Sequence, residues 1–273
     1  MLAAGIIVFR EVLEAALVAG IVLAATRGVD GSRRWIAAGI LGGLVGSGIV
    51  AGSADLLSQA LEGVGQELFN AAIMLVAVVM LAWHNVWMGR HGREMARDMK
   101  AVGHAVSAGS RPLSVLAVVV GVAVLREGSE TVLFLYGITA SGGDGLGATL
   151  LGCGLGLAAG IAMGALLYYG LVAIPVRHLF GVTSWLVTLL AAGMAAQAVQ
   201  FLAAAGVLEV AMDPLWDSSQ LLSETSLVGR LLRTLVGYAD HPSLAQLAAY
   251  CATLLAIPAL SRVVGRQPNT VRE

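Results

Sequence analysis

Charge is scarce in this sequence. Asp, Glu, Lys and Arg make up 12% of its 273 residues, against about 25% in a soluble globular domain. Cysteine is scarcer still. Cys153 and Cys251 each stand inside an apolar run without metal-ligand spacing, which excludes a disulfide framework and a thiolate site; both read as small packing residues. There is no cofactor fingerprint, no His-Glu-x-x-His and no nucleophile motif, so no enzyme activity is expected. No nucleic-acid partner is expected either. What fills the chain is apolar: 58% hydrophobic residues and a mean hydropathy of +0.85. These values predict an integral membrane protein in contact with a lipid bilayer. The first apolar run starts at Leu2, lacks a preceding basic stretch and is interrupted by charge, so it reads as a retained helix.

A spanning helix needs about 20 mostly apolar residues. Seven segments qualify: roughly 2–25, 35–56, 68–89, 113–140, 146–173, 183–207 and 243–262. Loop charge then sets orientation. Arg27, Arg33 and Arg34, the basic residues from Arg90 to Arg111, Arg177, and Arg262, Arg266 and Arg272 bring twelve basic residues to one side. The other side has Arg230 and Arg233 among acidic residues such as Asp55, Glu62, Glu67, Asp144 and Asp240. Basic loops stay cytoplasmic, so the N-terminus is expected outside and the C-terminus inside. The acidic outer side either gathers cations or is ordinary solvated loop charge.

The chain also repeats. Arg10-Glu11-Val12-Leu13-Glu14 returns as Arg126-Glu127-Gly128-Ser129-Glu130, an offset of 116. Gly-rich spans two and five resemble each other, and so do the ends of spans three and six. The expected fold is therefore all-α: seven transmembrane helices, an inverted three-plus-three repeat and a seventh helix outside it. Repeat one covers 1–90, repeat two 112–207, an outer amphipathic loop 208–242 and helix seven 243–262, in one membrane domain. Such repeats place a transport site near the midplane. The glycines read as packing residues that let helices approach closely.

The two charged motifs carry the chemistry. Ionised groups at the bilayer centre cost on the order of 2.5–3.5 kcal/mol each on insertion scales. With Arg10 at zero, Glu11 lies about 100° and Glu14 about 40° round a helix, so all three share a sector. Arg10 and Glu14 form an i, i+4 pair. If the two faces meet, four carboxylates and two guanidiniums leave a formal charge of −2. A hard, multiply charged cation with oxygen ligands fits that surplus, with the Arg forks fixing the carboxylates. Two other readings stay open. One is a structural set of ion pairs; the other is a proton relay in a transporter of another divalent metal.

Two Arg-Glu-x-x-Glu motifs in helices one and four of a seven-span chain resemble the oxidase-dependent iron permease family. The outer stretch from Leu215-Trp216-Asp217 to Glu224, with Gly237-Tyr238 and Pro242, looks like its bacterial branch. The resemblance covers nearly the whole chain. It implies high-affinity iron import as a multi-pass protein of the cell (inner) membrane, with iron (Fe2+ or Fe3+) as cargo and no permanently bound cofactor. It implies Glu11, Glu14, Glu127 and Glu130 as iron ligands, with Arg10 and Arg126 as their supports. It also implies redox partners: a periplasmic cupredoxin-like protein and a haem peroxidase, or a ferroxidase. The acidic Asp-Ala-Ser-Glu element of the fungal branch is absent from the sequence, which argues against a hand-off of the fungal kind.

Further candidates surround this core. His84, toward the end of span three, is either an exit-side ligand or a hydrogen-bonded interface residue. Gln197 and Gln200 share a face of span six and either line the pathway or bond between helices. Glu209, Asp213, Asp217 and Glu224 are candidates for outer entry. Residues 217–238 read as an amphipathic outer helix with Asp217 as N-cap. An intramembrane ferroxidase would need paired Glu and His ligands, and only His84 is deep enough. A metal sensor would bind without transport.

Overall fold

A computed structural model describes residues 1–60, 66–140, 145–170, 176–208, 211, 213–224 and 226–266. Among the described residues eight helices follow in order: α1 (Leu2–Ala25), α2 (Ser32–Ala60), α3 (Gln66–Ser107), α4 (Ser114–Ala140), α5 (Leu146–Tyr168), α6 (Val176–Ala204), α7 (Leu227–Val236) and α8 (Leu244–Arg266). There is no strand among the described residues. Among the described residues five helical stretches are long and apolar enough to cross a membrane: Ser32–Ser53, Glu67–Trp87, Leu146–Tyr168, Gly181–Ala204 and Leu244–Val263. α1 and α4, each interrupted by three charged residues, are not among them. The chain forms two compact units. The first holds Met1–Val64 and Arg93–Thr183, and the second Gly65–Gly92 and Ser184–Glu273.

In the first unit α1 packs on α5, α2 on α4, and α1 on α4. The helices of this unit are apolar in the reverse sense to a soluble protein. On α2 the buried stripe is Ser32, Ile36, Gly39, Gly43 and Ser47, while Leu41, Leu44, Val45 and Ile49 are exposed. On α5 the buried stripe is Thr149, Gly152, Gly156, Gly160 and Gly164, and Leu150, Leu151, Leu155 and Ile161 are exposed. Small residues inward and large apolar residues outward suit lipid, where helix association depends on close packing.

Several of these glycines face backbone. A Cβ on Gly43 would stand 2.7 Å from the Gly121 carbonyl oxygen, and one on Gly156 only 2.4 Å from that of Gly5. Gly5 and Gly121 differ by the motif offset of 116. Likewise Gly39 meets Ala117 and Gly152 meets Met1, again 116 apart on the α1 and α4 side. The α2–α4 and α5–α1 contacts thus share one register. At the far end of α1 an apolar cluster of Val22, Ile36, Val106, Leu116, Val120 and Val124 ties α1 to α2, α3 and α4. There Gly103 admits Ala25, and the Ser107 hydroxyl donates to the Ala25 carbonyl at 2.8 Å.

In the second unit Asn85 of α3 holds α6. Its amide donates to the Ser184 carbonyl at 3.2 Å and to Thr188 Oγ1 at 2.9 Å, and its Oδ1 accepts from the Ser184 hydroxyl. Gly237 ends α7 in the left-handed conformation at φ 73°. This tight end lies against Gly193, where a Cβ would stand 2.8 Å from the Gly237 Cα. The 213–224 segment is pinned to the α7–α8 connection. The Leu215 amide donates to the Pro242 carbonyl and the Ser218 amide to that of Asp240, both at 2.9 Å. The Glu224 amide donates to Asp240 Oδ2 at 3.1 Å, and the Asp240 amide returns a bond to Glu224 Oε1 at 3.0 Å.

Several expectations need correction. The basic residues from Arg90 to Lys100 do not form a loop. α3 runs on through them to Ser107, because the stretch holds good helix formers and no proline before Pro112. His84 therefore stands near the middle of α3. The outer amphipathic helix starts at Leu227 rather than near 217. Ser226 caps it by accepting from the Gly229 amide at 3.0 Å, and Asp217 instead folds a local turn, with Oδ1 accepting from the Ser219 amide at 2.9 Å. Leu221, within the stretch expected to be helical from 217, is 92% exposed. Cys251 is exposed and Cys153 half-buried, so neither is a core residue. Glu62, Asp144 and Glu209 lie outside the described residues.

His241 closes the 213–224 strap. Nδ1 lies 2.7 Å from Asp240 Oδ1 and Nε2 3.0 Å from Asp217 Oδ1. The hydrogen bond to Asp240, then the charge of Asp217, raise the His241 pKa. Both carboxylates are lowered, Asp240 chiefly by the Glu224 amide and Asp217 chiefly by Ser219.

Two predictions follow from this packing. Gly156→Ala lowers the melting temperature of the detergent-solubilised protein, since overpacking costs about 1–3 kcal/mol. Gly154→Ala, with nothing within 4 Å of its Cβ, leaves stability unchanged or raises it by up to about 1 kcal/mol. Equal melting temperatures for the two variants would refute the close-contact account. The second concerns pH. A raised His241 pKa means the bridge is fully formed below the ordinary histidine value of about 6.5 and lost as pH rises through the higher folded value. Hydrogen exchange at Leu215 and Ser218, corrected for intrinsic rate, should therefore be faster at alkaline than at mildly acidic pH, and His241→Gln should abolish the difference. A pH-independent wild type would exclude the charged bridge.

Candidate metal centre

α1 and α4 carry the two motifs into the interior of the first unit. The geometry repeats. Arg10 Nε donates to Glu14 Oε1 at 3.1 Å, and Arg126 Nε to Glu130 Oε1 at 3.0 Å. Each Arg also lies near the adjacent Glu: Arg10 Nη1 is 4.0 Å from Glu11 Oε1, and Arg126 Nε is 3.9 Å from Glu127 Oε1. An i, i+4 spacing puts the side chains of one face a turn apart, which is why the shared Arg-Glu-x-x-Glu spacing makes the same pairing twice. Burial differs between the copies. Arg10, Glu11 and Glu14 are 3%, 1% and 4% exposed. The Arg126 side chain is 32% exposed and that of Glu130 15%.

Glu11, Glu127 and Glu130 converge. One carboxylate oxygen from each lies within 4.8 Å of those of the other two. Hard cations take carboxylate oxygens at roughly 2.0–2.6 Å, so small side-chain movements would close such a group on an ion. Glu14 is not in this group; its Oε1 accepts from Arg10. Of the four expected ligands, three are thus brought together and Glu14 stands apart, although Arg126 holds Glu130 just as Arg10 holds Glu14. This asymmetry had no signal in the sequence, because the two motifs spell the four Glu positions identically.

The other candidates lie in the second unit. His84 is 2% exposed on α3. Gln197 and Gln200 of α6 line a cavity of ≈ 490 Å³, together with Glu224, Arg233, Tyr238 and Tyr250. The Gln197 Oε1 is buried and has no hydrogen-bond partner among the described residues. Among the entry candidates, Glu224 lines the same cavity, with Arg233 Nη1 at 3.2 Å from its Oε2. Asp213 and Asp217 are exposed. His241 also lines the cavity. Its pairing with Asp217 spans 24 residues and could not be read from local spacing.

Known proteins resemble the chain over nearly its whole length. The chain matches the Iron permease FTR1 family over residues 1–264. It is 33% identical over 261 residues to the ferrous iron permease EfeU of Escherichia coli O6:H1 (strain CFT073), covering 93% of this chain and 92% of that protein. The protein of the same name from Escherichia coli O157:H7 is 32% identical over 260 residues, with the same shares covered. That of Shigella flexneri is 35% identical over 197 residues, 71% of this chain and 82% of the relative. No solved structure matches. With its apolar helices, the chain is a multi-pass membrane protein and a transporter rather than an enzyme, and it belongs to the FTR1 iron permease family.

Proposed function

We propose that the chain imports iron across the cytoplasmic membrane, with Glu11, Glu127 and Glu130 as the groups that hold the ion in transit. The observation that carries this reading is the convergence of three carboxylates from two motifs on separate helices, deep in the first unit. Charge selects the cargo. Four carboxylates and two guanidiniums leave −2, which one dication neutralises. Ferrous iron, for which the Escherichia and Shigella relatives are named, has that charge and accepts oxygen ligands. Arg10 and Arg126 hold Glu14 and Glu130 by their Nε atoms and keep the surplus from collapsing into mutual repulsion.

The same reading includes seven spans. α1 and α4 cross the membrane beside the five apolar helices, shielded by α5 and α2. Repeats 1–90 and 112–207 lie in opposite orientation, with the N-terminus outside. The shared contact register of α2–α4 and α5–α1 supports the repeat, and the basic excess in the intervening segments supports the orientation. Gln197 and Gln200 are assigned to the ion's path in the second unit, where their amide oxygens line the cavity.

The test is radiolabelled iron uptake into proteoliposomes, with Fe(II) under ascorbate and chelated Fe(III) as separate substrates. Wild type takes up Fe(II). Glu11→Gln, Glu127→Gln and Glu130→Gln fall on the order of 100-fold or to background while still inserted, since each removes an anionic ligand. Wild-type uptake by any of the three would remove that residue from the ligand set. Arg10→Lys keeps the charge but loses the planar fork, and uptake falls by roughly 10–100-fold, as for other groups that orient metal ligands. Unchanged uptake would reduce Arg10 to a point charge.

A further inference from the structure

The third residue of each motif differs, Val12 in α1 and Gly128 in α4, and the helices behind them differ in the opposite sense. A Cβ on Gly160 of α5 would lie 2.8 Å from Val12 Cβ and Cγ1. One on Gly128 would lie 2.6 Å from both Cβ and Oγ of Ser47 of α2. Each crossing therefore holds one side chain and one glycine. Across the α1–α5 crossing the motif helix supplies the side chain. Across the α2–α4 crossing the motif helix supplies the glycine.

This contact is placed to matter. Position three lies at about 200° when the Arg is at zero, roughly 150° from the centre of the charged sector. It is the back of the motif. How closely the back seats on α5 or α2 decides how far the carboxylates on the front reach toward the other motif. Ser47 is 7% exposed, and its hydroxyl is occupied locally by donating to the Leu44 carbonyl at 3.0 Å. What it offers α4 is volume. Close-packed helices transmit such volume changes because there is no void to absorb them.

We propose that Ser47 and Gly128 are positioning residues for the metal centre: their paired volume sets the seat of α4, and so the distance of Glu127 and Glu130 from Glu11. The pair does on α4 what Val12 and Gly160 do on α1, with large and small exchanged. This rests on the ion-binding reading of the carboxylates, and the experiment separates the two.

Four proteins are compared with wild type: Gly128→Val, Ser47→Gly, the double variant Gly128→Val/Ser47→Gly, and Glu127→Gln as the ligand control. The readouts are Mn(II) affinity of the purified protein by electron paramagnetic resonance, apparent KM for Fe(II) in proteoliposomes, and the amount of inserted protein. Gly128→Val is expected to raise the Mn(II) dissociation constant and the KM by roughly tenfold or more, since misplacing a group by about 1 Å can cost up to 100-fold. The double variant, which rebuilds the Val-on-Gly crossing of the first motif, returns both to within about threefold of wild type. Should Gly128→Val fail to insert, recovery of insertion and of Mn(II) affinity by the double variant supports the exchange. Gly128→Ala, the smaller addition, then supplies the KM shift in a folded protein.

Wild-type affinity in Gly128→Val overturns the proposal. So does a double variant no better than the single one, or a loss confined to maximal rate in proportion to inserted protein. A wild type that binds Mn(II), loses it with Glu127→Gln and yet carries no iron overturns the import reading alone, and the affinities still judge the pair. A wild type that binds no cation overturns both.

Discussion

Everything in the first unit depends on keeping ionised side chains out of contact with hydrocarbon. Arg10, Glu11 and Glu14 are nearly fully buried, and a buried charge is tolerated only when paired and hydrogen-bonded. Within each motif the i, i+4 bond from Arg Nε to Glu supplies the first pairing. That alone does not shield a helix whose other sides would face lipid. The remaining shield is another helix pressed close along its back, and closeness requires glycine. The stripe from Gly152 to Gly164 covers α1, and Gly39 and Gly43 bring α2 onto α4. The charged motifs and the glycine stripes are two halves of one solution.

The arrangement also explains why the covering helices look inverted. α2 and α5 bury their smallest residues and expose leucine, isoleucine and valine. In water that pattern would expel apolar surface in the wrong direction. In lipid the outward side chains cost nothing, and the inward glycines gain dispersion contacts that bulkier residues would block. Hydropathy then separates the roles cleanly. Among the described residues five helical stretches are long and apolar enough to cross a membrane, and the two helices that carry the motifs are not among them.

Much of this was legible in the sequence because it depends on composition and period. α1 was expected at 2–25 and runs Leu2–Ala25, and α4 at 113–140 runs Ser114–Ala140. Glycine periodicity and the shared motif sector also survive the step to structure. What was missed depends on competition between local options or on distant partners. The 90–107 stretch is polar and so read as loop, but its residues favour helix and nothing interrupts them. Asp217 and Ser226 both had cap chemistry. Asp217 satisfies the Ser219 amide and His241, leaving Ser226 to begin α7. Glu14 and Glu130 are equivalent in the motif and each is paired with its own arginine, and only packing around them brings Glu130 and not Glu14 into the carboxylate group.

Duplication changes the electrostatics in a way a single motif cannot. One Arg-Glu-x-x-Glu helix carries two carboxylates and one guanidinium, a surplus of one negative charge. Two such helices facing each other carry a surplus of two without any new residue type, and under the proposed function a dication would return the interior to neutrality. The copies are not equivalent, however. The first motif is sealed, while the Arg126 side chain is about a third exposed, at 32%. The second motif also supplies two of the three convergent carboxylates, Glu127 and Glu130, and the first motif only Glu11.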